Sequence, residues 1–325
     1  MSGIEGTHVS TILTVTLNPT VDIYLEAPRL ISGGKNRAKL SSVQGGGGGI
    51  NVARCIGRLG GSATALHTSG REVGRRLDRL LDEEGMDHRR IEIGSDTREA
   101  IVVAEEWTGH SYHIVPPGPE LAEVEEIRCL EEIVVAAQHC SYVVITGSAT
   151  PGLRDDFCAE VAHRIRPYST PIVLDITGMQ LRKLLQEPVF LIRLDRREAA
   201  DLIGRPIANF NDARAANNYL LDLGTTEHAV TTVGALGAVC SDRDMHYEIS
   251  APPLAGPPRS DACAGDSLVA AVTYQLVQGN PCVRACEYGV AAAAATVMLP
   301  GTEVFERATV DALLPEVRTH PTSRR

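Results

Sequence analysis

The sequence predicts an α/β fold: a doubly wound, mainly parallel sheet with helices on both faces. Short apolar runs rich in Val, Ile and Thr alternate along the 325 residues with longer amphipathic stretches. This order of strand then helix is typical of parallel sheets that are covered on both faces. The 30 glycines and the apolar fraction of 43% indicate a folded chain with an ample core and many tight turns.

The predicted elements follow one another with short connections. The apolar runs predicted as strands cover residues 11–17, 63–68, 142–146, 172–176, 189–192 and 228–232. The stretches with a helical apolar period cover residues 50–59, 74–84, 121–138, 155–166, 196–203, 212–223, 265–277 and 282–298. We therefore expect one α/β domain over residues 11–318 and a frayed tail over residues 319–325.

Two segments break this alternation. Residues 22–43 and 97–115 read as extended and polar-alternating, with no helix beside them. Within the second segment, residues 100–105 and 111–115 flank a short turn sequence and predict a hairpin. The two segments are expected to form a small sheet that projects from the main one. A pair of irregular surface loops is the alternative.

Charge and cysteine usage limit the class of protein. Lys and Arg number 31 and Asp and Glu number 41, which gives a net charge of −10 and argues against a general nucleic-acid binder. The eight cysteines are scattered without a CxxC pair, so we expect reduced core thiols rather than a zinc site. The longest apolar run, residues 290–299, is too short to span a bilayer. With no signal peptide evident, a cytoplasmic protein without membrane contact is expected.

A run of five glycines, residues 45–49, is the first candidate for a ligand site. Glycine loses the most backbone entropy on folding, so such a run indicates a chain that must pass close to something bulky. A helix follows at once, and its free N–H groups favour anionic or hydroxyl-rich ligands. Asn51 lies in its first turn and can both donate and accept toward a polyol. The spacing matches neither the dinucleotide fingerprint nor the Walker loop; a flexible loop is the alternative.

A second small-residue turn, residues 260–267, opens another helix. Asp266 lies in its first turn, where the helix dipole favours a carboxylate. The N–H groups before it suit a transferring phosphoryl group, and the carboxylate suits a base that takes a proton from an attacking hydroxyl. The alternative is that Asp266 merely caps the helix.

Three cations, Lys35, Arg37 and Arg98, occur in the two extended segments of this acidic chain. They are expected to bind a phosphate on a substrate, although surface Lys and Arg are common without a ligand. Asp22 lies just beyond the carboxyl end of the first strand, the edge at which open α/β sheets bind ligands.

Together these residues resemble the ribokinase-type (PfkB) carbohydrate kinases, and most of all their 6-phosphofructokinase and tagatose-6-phosphate kinase branch. The resemblance covers nearly the whole chain, and its motifs occur in the family's order and spacing. They are TLNPTVD at residues 16–22, GGGGINVAR at 46–54, TGSATPG at 146–152, AGDS at 264–267 and GVAAAA at 289–294.

The resemblance implies a ribokinase-like α/β domain with a small β-lid made by the two extended segments. It implies ATP and Mg²⁺, a sugar-phosphate substrate and a homodimer formed through the lid. By matching position, Asp266 is the catalytic base, and Cys263, Ala264 and Gly265 form the anion hole. The remaining roles also follow from matching positions: sugar hydroxyls at Asp22, Gly47, Gly48 and Asn51, the substrate phosphate at Lys35, Arg37 and Arg98, the acceptor near Ser148, and the nucleotide at Thr232, Gly234 and Gly237.

Several positions depart from the family pattern. Cys263 replaces a glycine of the anion hole, and Asp261 replaces a threonine two residues earlier. Arg193 stands where a lysine commonly reaches the nucleotide phosphates. The Asn-x-x-Glu metal and phosphate motif reads Asp195 to Glu198, and His113 replaces a phosphate-binding arginine.

The resulting prediction is an ATP-dependent phosphotransferase that acts on a hydroxyl of a hexose phosphate, fructose 6-phosphate first among them. The alternative is a kinase-like protein that binds a sugar phosphate or nucleotide with weak or no transfer, because of Asp261, Cys263 and Arg193. A kinase of uncharged sugars or nucleosides conflicts with the three cations. A dinucleotide oxidoreductase lacks its fingerprint.

Overall fold

The computed structural model describes residues 11–324, which form two sheets and ten α-helices. The main sheet has ten strands and the second sheet has four. The strands are β1 (Thr11–Thr16), β2 (Thr20–Ala27), β3 (Lys39–Gly46), β4 (Ser62–Gly70), β5 (His88–Ile93), β6 (Arg98–Glu105), β7 (Ser111–Ile114), β8 (Tyr142–Thr146), β9 (Ile172–Asp175), β10 (Val189–Leu194), β11 (Thr226–Thr232), β12 (Gly237–Ser241), β13 (Met245–Ser250) and β14 (Arg318–Ser323). The helices are α1 (Gly48–Arg58), α2 (Arg71–Glu83), α3 (Glu123–Ala137), α4 (Phe157–Ile165), α5 (Gly178–Leu184), α6 (Arg196–Ile203), α7 (Phe210–Asp222), α8 (Ala264–Val277), α9 (Cys282–Thr296) and α10 (Arg307–Leu313).

The main sheet runs in the order β14-β13-β12-β11-β10-β9-β8-β1-β4-β5. All neighbours from β11 to β5 pair in parallel, and β12, β13 and β14 add an antiparallel edge. Apolar side chains alternate between two cores. In β1, Leu13 and Val15 pack with α3 to α7 on one face, whereas Ile12 packs with α1, α8, α9 and α10 on the other. The predicted doubly covered sheet is therefore confirmed.

The second sheet runs β3-β2-β6-β7 and is built from the two extended segments. The predicted hairpin is confirmed as the antiparallel pair β6 and β7, while β2 joins β6 in parallel and β3 in antiparallel fashion. The surface-loop alternative is therefore wrong. Helix α2 connects this sheet to the main one, because Leu77 and Leu81 pack in one small core with Val21 of β2 and Ala65 of β4.

The chain end differs from the prediction. Residues 318–323 do not fray but form β14, which pairs along its whole length with β13. Their polar sequence, RTHPTS, gives no apolar alternation, and Pro321 is tolerated because β14 is an edge strand. Strand β5, sequence HRRIEI, forms the opposite edge of the main sheet and was not predicted either, because Ile91 and Ile93 are its only apolar residues.

All eight cysteines lie in the described part of the chain and carry free thiols, six of them buried. Cys263 is an exception to the expected core position, since it stands partly exposed at the start of α8. Between residues 11 and 324, no helix combines the length and the apolar character needed to cross a membrane.

Candidate active site

Polar side chains line the carboxyl ends of four neighbouring parallel strands, β8 to β11. Thr146 Oγ1 donates to Asp175 Oδ2 at 3.1 Å, and Arg193 Nη1 donates to Asp175 Oδ1 at 3.0 Å. Arg193 Nη2 donates to Thr232 Oγ1 at 2.9 Å. Open α/β sheets bind ligands at this edge, so the row Thr146, Asp175, Arg193 and Thr232 marks one wall of a candidate site.

The glycine run crosses the same edge as the end of β3 and the beginning of α1, so the flexible-loop alternative is wrong. Gly47 has φ 119°, and a Cβ there would lie 2.6 Å from Thr16 Cγ2. A Cβ on Gly48 would lie 2.7 Å from Thr146 Oγ1. Only glycine therefore allows α1 to begin directly against the ends of β1 and β8.

Asp266 and Asn51 join the starts of α8 and α1. Asn51 Nδ2 donates to Asp266 Oδ2 at 2.9 Å. The amide orientation is fixed because Arg54 Nη1, which can only donate, bonds to Asn51 Oδ1 at 2.7 Å. Asp266 does not cap α8, since the N-cap is Cys263; the capping alternative is wrong.

The Asp266 carboxyl is electrostatically unusual. Burial and, to a smaller extent, nearby Asp175 raise its pKa from 3.8 to about 6, although the bond from Asn51 and the Arg193 charge oppose the shift. A carboxylate with a pKa near the working pH and a fixed hydrogen-bond donor has the properties of a general base.

The turn before Asp266 is strained at one residue. Cys263 adopts φ 58° and ψ 2°, a left-handed conformation that costs a residue with a Cβ roughly 1–2 kcal/mol. Ala264 and Gly265 follow in the first turn of α8, where backbone N–H groups lack a helical acceptor. Asp261 is exposed at the rim of this turn, and its carbonyl accepts from Ala264 N–H at 3.3 Å.

Arg193 lies directly beneath this turn, since a Cβ on Gly265 would come within 2.9 Å of its Nη1. Burial acts against the guanidinium charge, but Asp175, Glu198 and Asp195 hold its pKa above the usual range. Arg193 Nε is buried without a hydrogen-bond partner among residues 11–324. The site therefore contains a fixed positive charge with one donor left over.

Asp195 and Glu198 form a reciprocal capping box at the start of α6. Asp195 Oδ1 accepts from the Glu198 N–H at 2.7 Å, and Glu198 Oε2 accepts from the Asp195 N–H at 2.7 Å. Burial raises the pKa of Glu198 to about 7, and the neighbouring carboxylates of Asp175 and Asp195 contribute. Both residues thus have a structural role, with one oxygen of each engaged in the cap.

The second sheet supplies the opposite wall of the site. Asp22 on β2 lies against Gly46, and a Cβ on Gly46 would overlap Asp22 Oδ2. Burial raises the pKa of Asp22 to about 6. Arg98 at the start of β6 donates from Nη2 to Asn18 O at 2.9 Å and contributes a positive charge facing Asp22. Asn18 Nδ2 donates in turn to Ser148 Oγ at 3.3 Å.

Lys35 and Arg37 do not join Arg98 within the chain. They lie in the exposed loop between β2 and β3. Arg98 pairs with Thr20 at one end of β2, whereas this loop follows Ala27 at the other end. Seven residue steps along a strand span about 23 Å. His113 on β7 is exposed and pairs opposite Val102.

The turn from β11 to β12 completes the row of strand ends. Gly234 has φ 59° and Gly237 has φ 119°, and a Cβ on Gly237 would overlap Ile249 O. The turn beside Thr232 therefore needs glycine at both positions, and a Cβ on the exposed Gly234 would lie 3.7 Å from Arg196 Nη1 at the start of α6.

A family model described as pfkB family carbohydrate kinase matches residues 15–307. The chain belongs to this family. It is 35% identical over 311 residues to the ATP-dependent 6-phosphofructokinase isozyme 2 of Mycobacterium tuberculosis, covering 96% of this chain and 91% of the relative. It is 29% identical over 309 residues to the 1-phosphofructokinase of Bacillus subtilis, covering 94% and 98%. The fold matches phosphofructokinase-2 from Escherichia coli in complex with potassium, with a TM-score of 0.88, 28% identity and coverage of 94% and 98%.

Two residues of this pfkB-family site were not predicted from the sequence. Asp175 holds both Thr146 and Arg193, and its place at the end of a predicted strand was the available signal. Asn18 connects Arg98 with Ser148, but its signal, a polar residue before a proline, is too common to be diagnostic.

Proposed function

We propose that this pfkB-family chain transfers the γ-phosphoryl group of ATP to a hydroxyl of a hexose phosphate, with fructose 6-phosphate as the preferred substrate. The contact between Asn51 and Asp266 carries the proposal. It fixes a carboxylate with a raised pKa between the starts of two helices, where an acceptor hydroxyl and a phosphoryl group can both be held.

Asp266 acts as the base. Its carboxylate takes the proton of the acceptor hydroxyl as that oxygen bonds to the γ-phosphorus, and ADP leaves with the electrons of the broken P–O bond. Asn51 keeps one carboxylate oxygen in place, so the other is available to the substrate. The backbone of Cys263, Ala264 and Gly265 surrounds the transferring group, and Arg193 supplies positive charge beneath it.

The second sheet contributes sugar-phosphate binding. Asp22, Gly47, Gly48 and Asn51 contact the sugar hydroxyls, Arg98 binds the phosphate and Ser148 lies near the acceptor. Arg98 Nε and Asn18 Oδ1 are both buried without a hydrogen-bond partner among residues 11–324, which supports a polar ligand at this wall. The names of the relatives favour a fructose phosphate, and the Mycobacterium tuberculosis relative favours the 6-phosphate.

Lys35 and Arg37 bind substrate only if a second copy supplies them, because they lie at the far end of β2 and β3. A homodimer through the second sheet would bring them across. Its exposed apolar side chains Leu40, Tyr112 and Ile114, each 42% exposed or more, support such a contact.

The nucleotide lies along the carboxyl ends of β10 and β11. The backbone at Thr232, Gly234 and Gly237 faces the base and ribose, and Arg193 faces the phosphates. The orphaned Arg193 Nε supports an anionic ligand there.

The carboxylates near Arg193 fit a Mg²⁺ ion that accompanies the nucleotide. Asp175, Asp195 and Glu198 bring three carboxyl groups near one arginine, and this excess of negative charge contributes to the raised pKa of Glu198. Asp195 and Glu198 would hold the ion through the oxygens that the capping box leaves free. The ion supplies charge neutralisation of the phosphates.

The second candidate function is binding with weak or no transfer, and the strained Cys263 favours it. An ADP-release assay with ATP, Mg²⁺ and fructose 6-phosphate separates the two. The proposed function requires sugar-phosphate-dependent ADP release that Asp266→Asn removes. Tight sugar-phosphate binding with equal, negligible ADP release in both proteins supports the second candidate.

A further inference from the structure

A second polar cluster lies away from the kinase site, between β4, β5 and α2. His67 Nε2 lies 3.0 Å from His88 Nδ1 and 3.9 Å from Asp78 Oδ1. All three ligand atoms lie within 4.8 Å of one another. The His67 side chain is fully buried, whereas His88 is 11% and Asp78 is 14% exposed. The cluster is thus closed toward the core and open at its surface end.

The outer nitrogens of both rings are already engaged as donors. His67 Nδ1 lies 3.0 Å from Thr68 O, and His88 Nε2 lies 3.2 Å from Asp82 Oδ1. A carbonyl and a carboxylate oxygen only accept, so each outer nitrogen carries the proton. In two neutral imidazoles, the facing atoms His67 Nε2 and His88 Nδ1 are then both lone pairs. Two lone pairs 3.0 Å apart repel each other unless a cation lies between them.

Asp78 adds a third lone-pair atom to the same point. Its Oδ2 accepts from Ser69 Oγ at 3.2 Å and from Arg90 Nη1 at 3.3 Å. Its Oδ1 faces His67 and is buried without a hydrogen-bond partner among the described residues. An unpaired buried oxygen is costly, so Asp78 Oδ1 needs a donor or a cation.

We propose that His67, Asp78 and His88 bind a divalent transition-metal ion of the Zn²⁺ type. Ligand atoms about 2.0–2.2 Å from one tetrahedral zinc ion lie roughly 3.4 Å apart, and the observed 3.0 and 3.9 Å bracket that spacing. Metal-bound histidines typically donate their other N–H to a carbonyl or carboxylate, as His67 and His88 do here. Two imidazoles favour zinc over magnesium or calcium, which prefer oxygen ligands.

The ion would join α2 to the β4 and β5 edge, and this role is independent of phosphoryl transfer. Its fourth position faces the surface end of the cluster, where water completes the coordination. The site therefore stabilises the fold, because α2 also carries the second sheet through Leu77 and Leu81.

The test is Zn²⁺ titration of the chelator-treated, full-length protein against a competing chromophoric chelator, with thermal unfolding as a second readout. Wild type is expected to bind zinc and gain thermal stability. Asp82→Asn, which changes only the outer partner of His88, should weaken binding about 10–100-fold. His88→Gln should weaken it more, and His320→Gln, exposed on β14 at the opposite sheet edge, should not change it.

Circular dichroism of His88→Gln shows whether the variant is folded, and Asp82→Asn keeps the test decisive if it is not. Equal zinc affinity in wild type and both variants overturns the proposal, as does a wild type that binds no zinc, in which case a proton lies between the rings.

The three buried thiols of Cys240, Cys282 and Cys286 also lie within 4.8 Å of one another. Bound Co²⁺ with thiolate charge-transfer absorption that Cys282→Ser removes, and no other bound Co²⁺, assigns the metal to them and overturns the proposal.

Discussion

Asn51 Nδ2 donates to Asp266 Oδ2 at 2.9 Å across 215 positions of the sequence. The bond joins the first turns of α1 and α8, which follow the glycine run and the small-residue turn at residues 260–263. Arg54 donates to Asn51 Oδ1, so the amide nitrogen of Asn51, and not its oxygen, faces Asp266. Phosphoryl transfer depends mainly on positioning and charge, and this contact provides the positioning.

Asp266→Asn should lower kcat by about 10²–10⁴-fold, because a positioned base contributes that much, while sugar-phosphate and ATP binding persist. Steady-state kinetics and calorimetric binding measure the two effects.

In wild type, kcat should fall as pH decreases through about 6, where Asp266 becomes protonated. Asn51→Leu removes a bond that lowers this pKa, so the acidic limb should move to higher pH.

The same carboxyl should influence stability. Because the folded-state pKa of Asp266 is raised from 3.8 to about 6, the folded protein binds a proton more tightly than the unfolded chain does. Its contribution is therefore present below pH 4 and lost as the pH rises through 6. Urea unfolding at pH 8 should show Asp266→Asn more stable than wild type, by up to about 3 kcal/mol. A difference that grows toward acidic pH would contradict the sign.

Arg98→Gln should raise KM for the sugar phosphate about 10–100-fold and leave KM for ATP nearly unchanged, since a charge-assisted hydrogen bond contributes roughly 1.5–3 kcal/mol. Arg76→Gln is the matched control. Arg76 pairs with Glu99, the neighbour of Arg98 on β6, but both side chains are more than a third exposed. Equal effects of Arg98→Gln on both KM values would remove Arg98 from the phosphate site.

Arg193→Met should destabilise the fold by about 3–5 kcal/mol, because it leaves the Asp175 carboxylate buried without its ion pair. Adding Asp175→Asn should recover much of that loss. Denaturant unfolding of wild type, Arg193→Met, Asp175→Asn and the double variant measures the coupling between the two residues. Arg193→Lys keeps the charge beside Asp175 but cannot reach Asp175 and Thr232 together, so it should destabilise the fold less than Arg193→Met does. A double variant as unstable as Arg193→Met would show that the pair does not act as a unit.

Cys263→Gly should be more stable than Cys263→Ala by about 1 kcal/mol, because alanine keeps the Cβ at φ 58° whereas glycine relieves it. With Asp261→Thr, which removes a negative charge at the rim, kcat should increase by up to about 10²-fold. Thermal unfolding and ADP-release rates measure the two effects. A restored double variant as slow as Asp266→Asn would favour the binding-only function.

Much of the fold was predictable because parallel strands that are buried on both faces have continuous apolar sequences. The strands at both edges were not predictable, since β5 buries only Ile91 and Ile93, β14 buries no residue, and both sequences are mainly polar. Five ordered motifs predicted the neighbourhood of Asp266, Asn51 and Asp22. Ion pairs such as that of Arg193 with Asp175 depend on the order of the strands in the sheet, and no local sequence pattern encodes that order.

The position of Lys35 and Arg37 shows the same limit. Sequence spacing put both residues on one segment with Asp22, but the strand register separates their loop from Arg98 by the length of β2. A residue in a hairpin loop lies near the site only if the loop end of the hairpin faces the site. Tertiary packing decides which end of the hairpin does so.

The most direct test of the account is ADP release by wild type and Asp266→Asn with ATP, Mg²⁺ and, in parallel, fructose 6-phosphate, fructose 1-phosphate or tagatose 6-phosphate. We expect ADP release only in the presence of a sugar phosphate, fastest with fructose 6-phosphate, and lost in Asp266→Asn. ADP release that needs no sugar phosphate, or that Asp266→Asn retains, would contradict the central claim that Asp266 activates a sugar-phosphate hydroxyl.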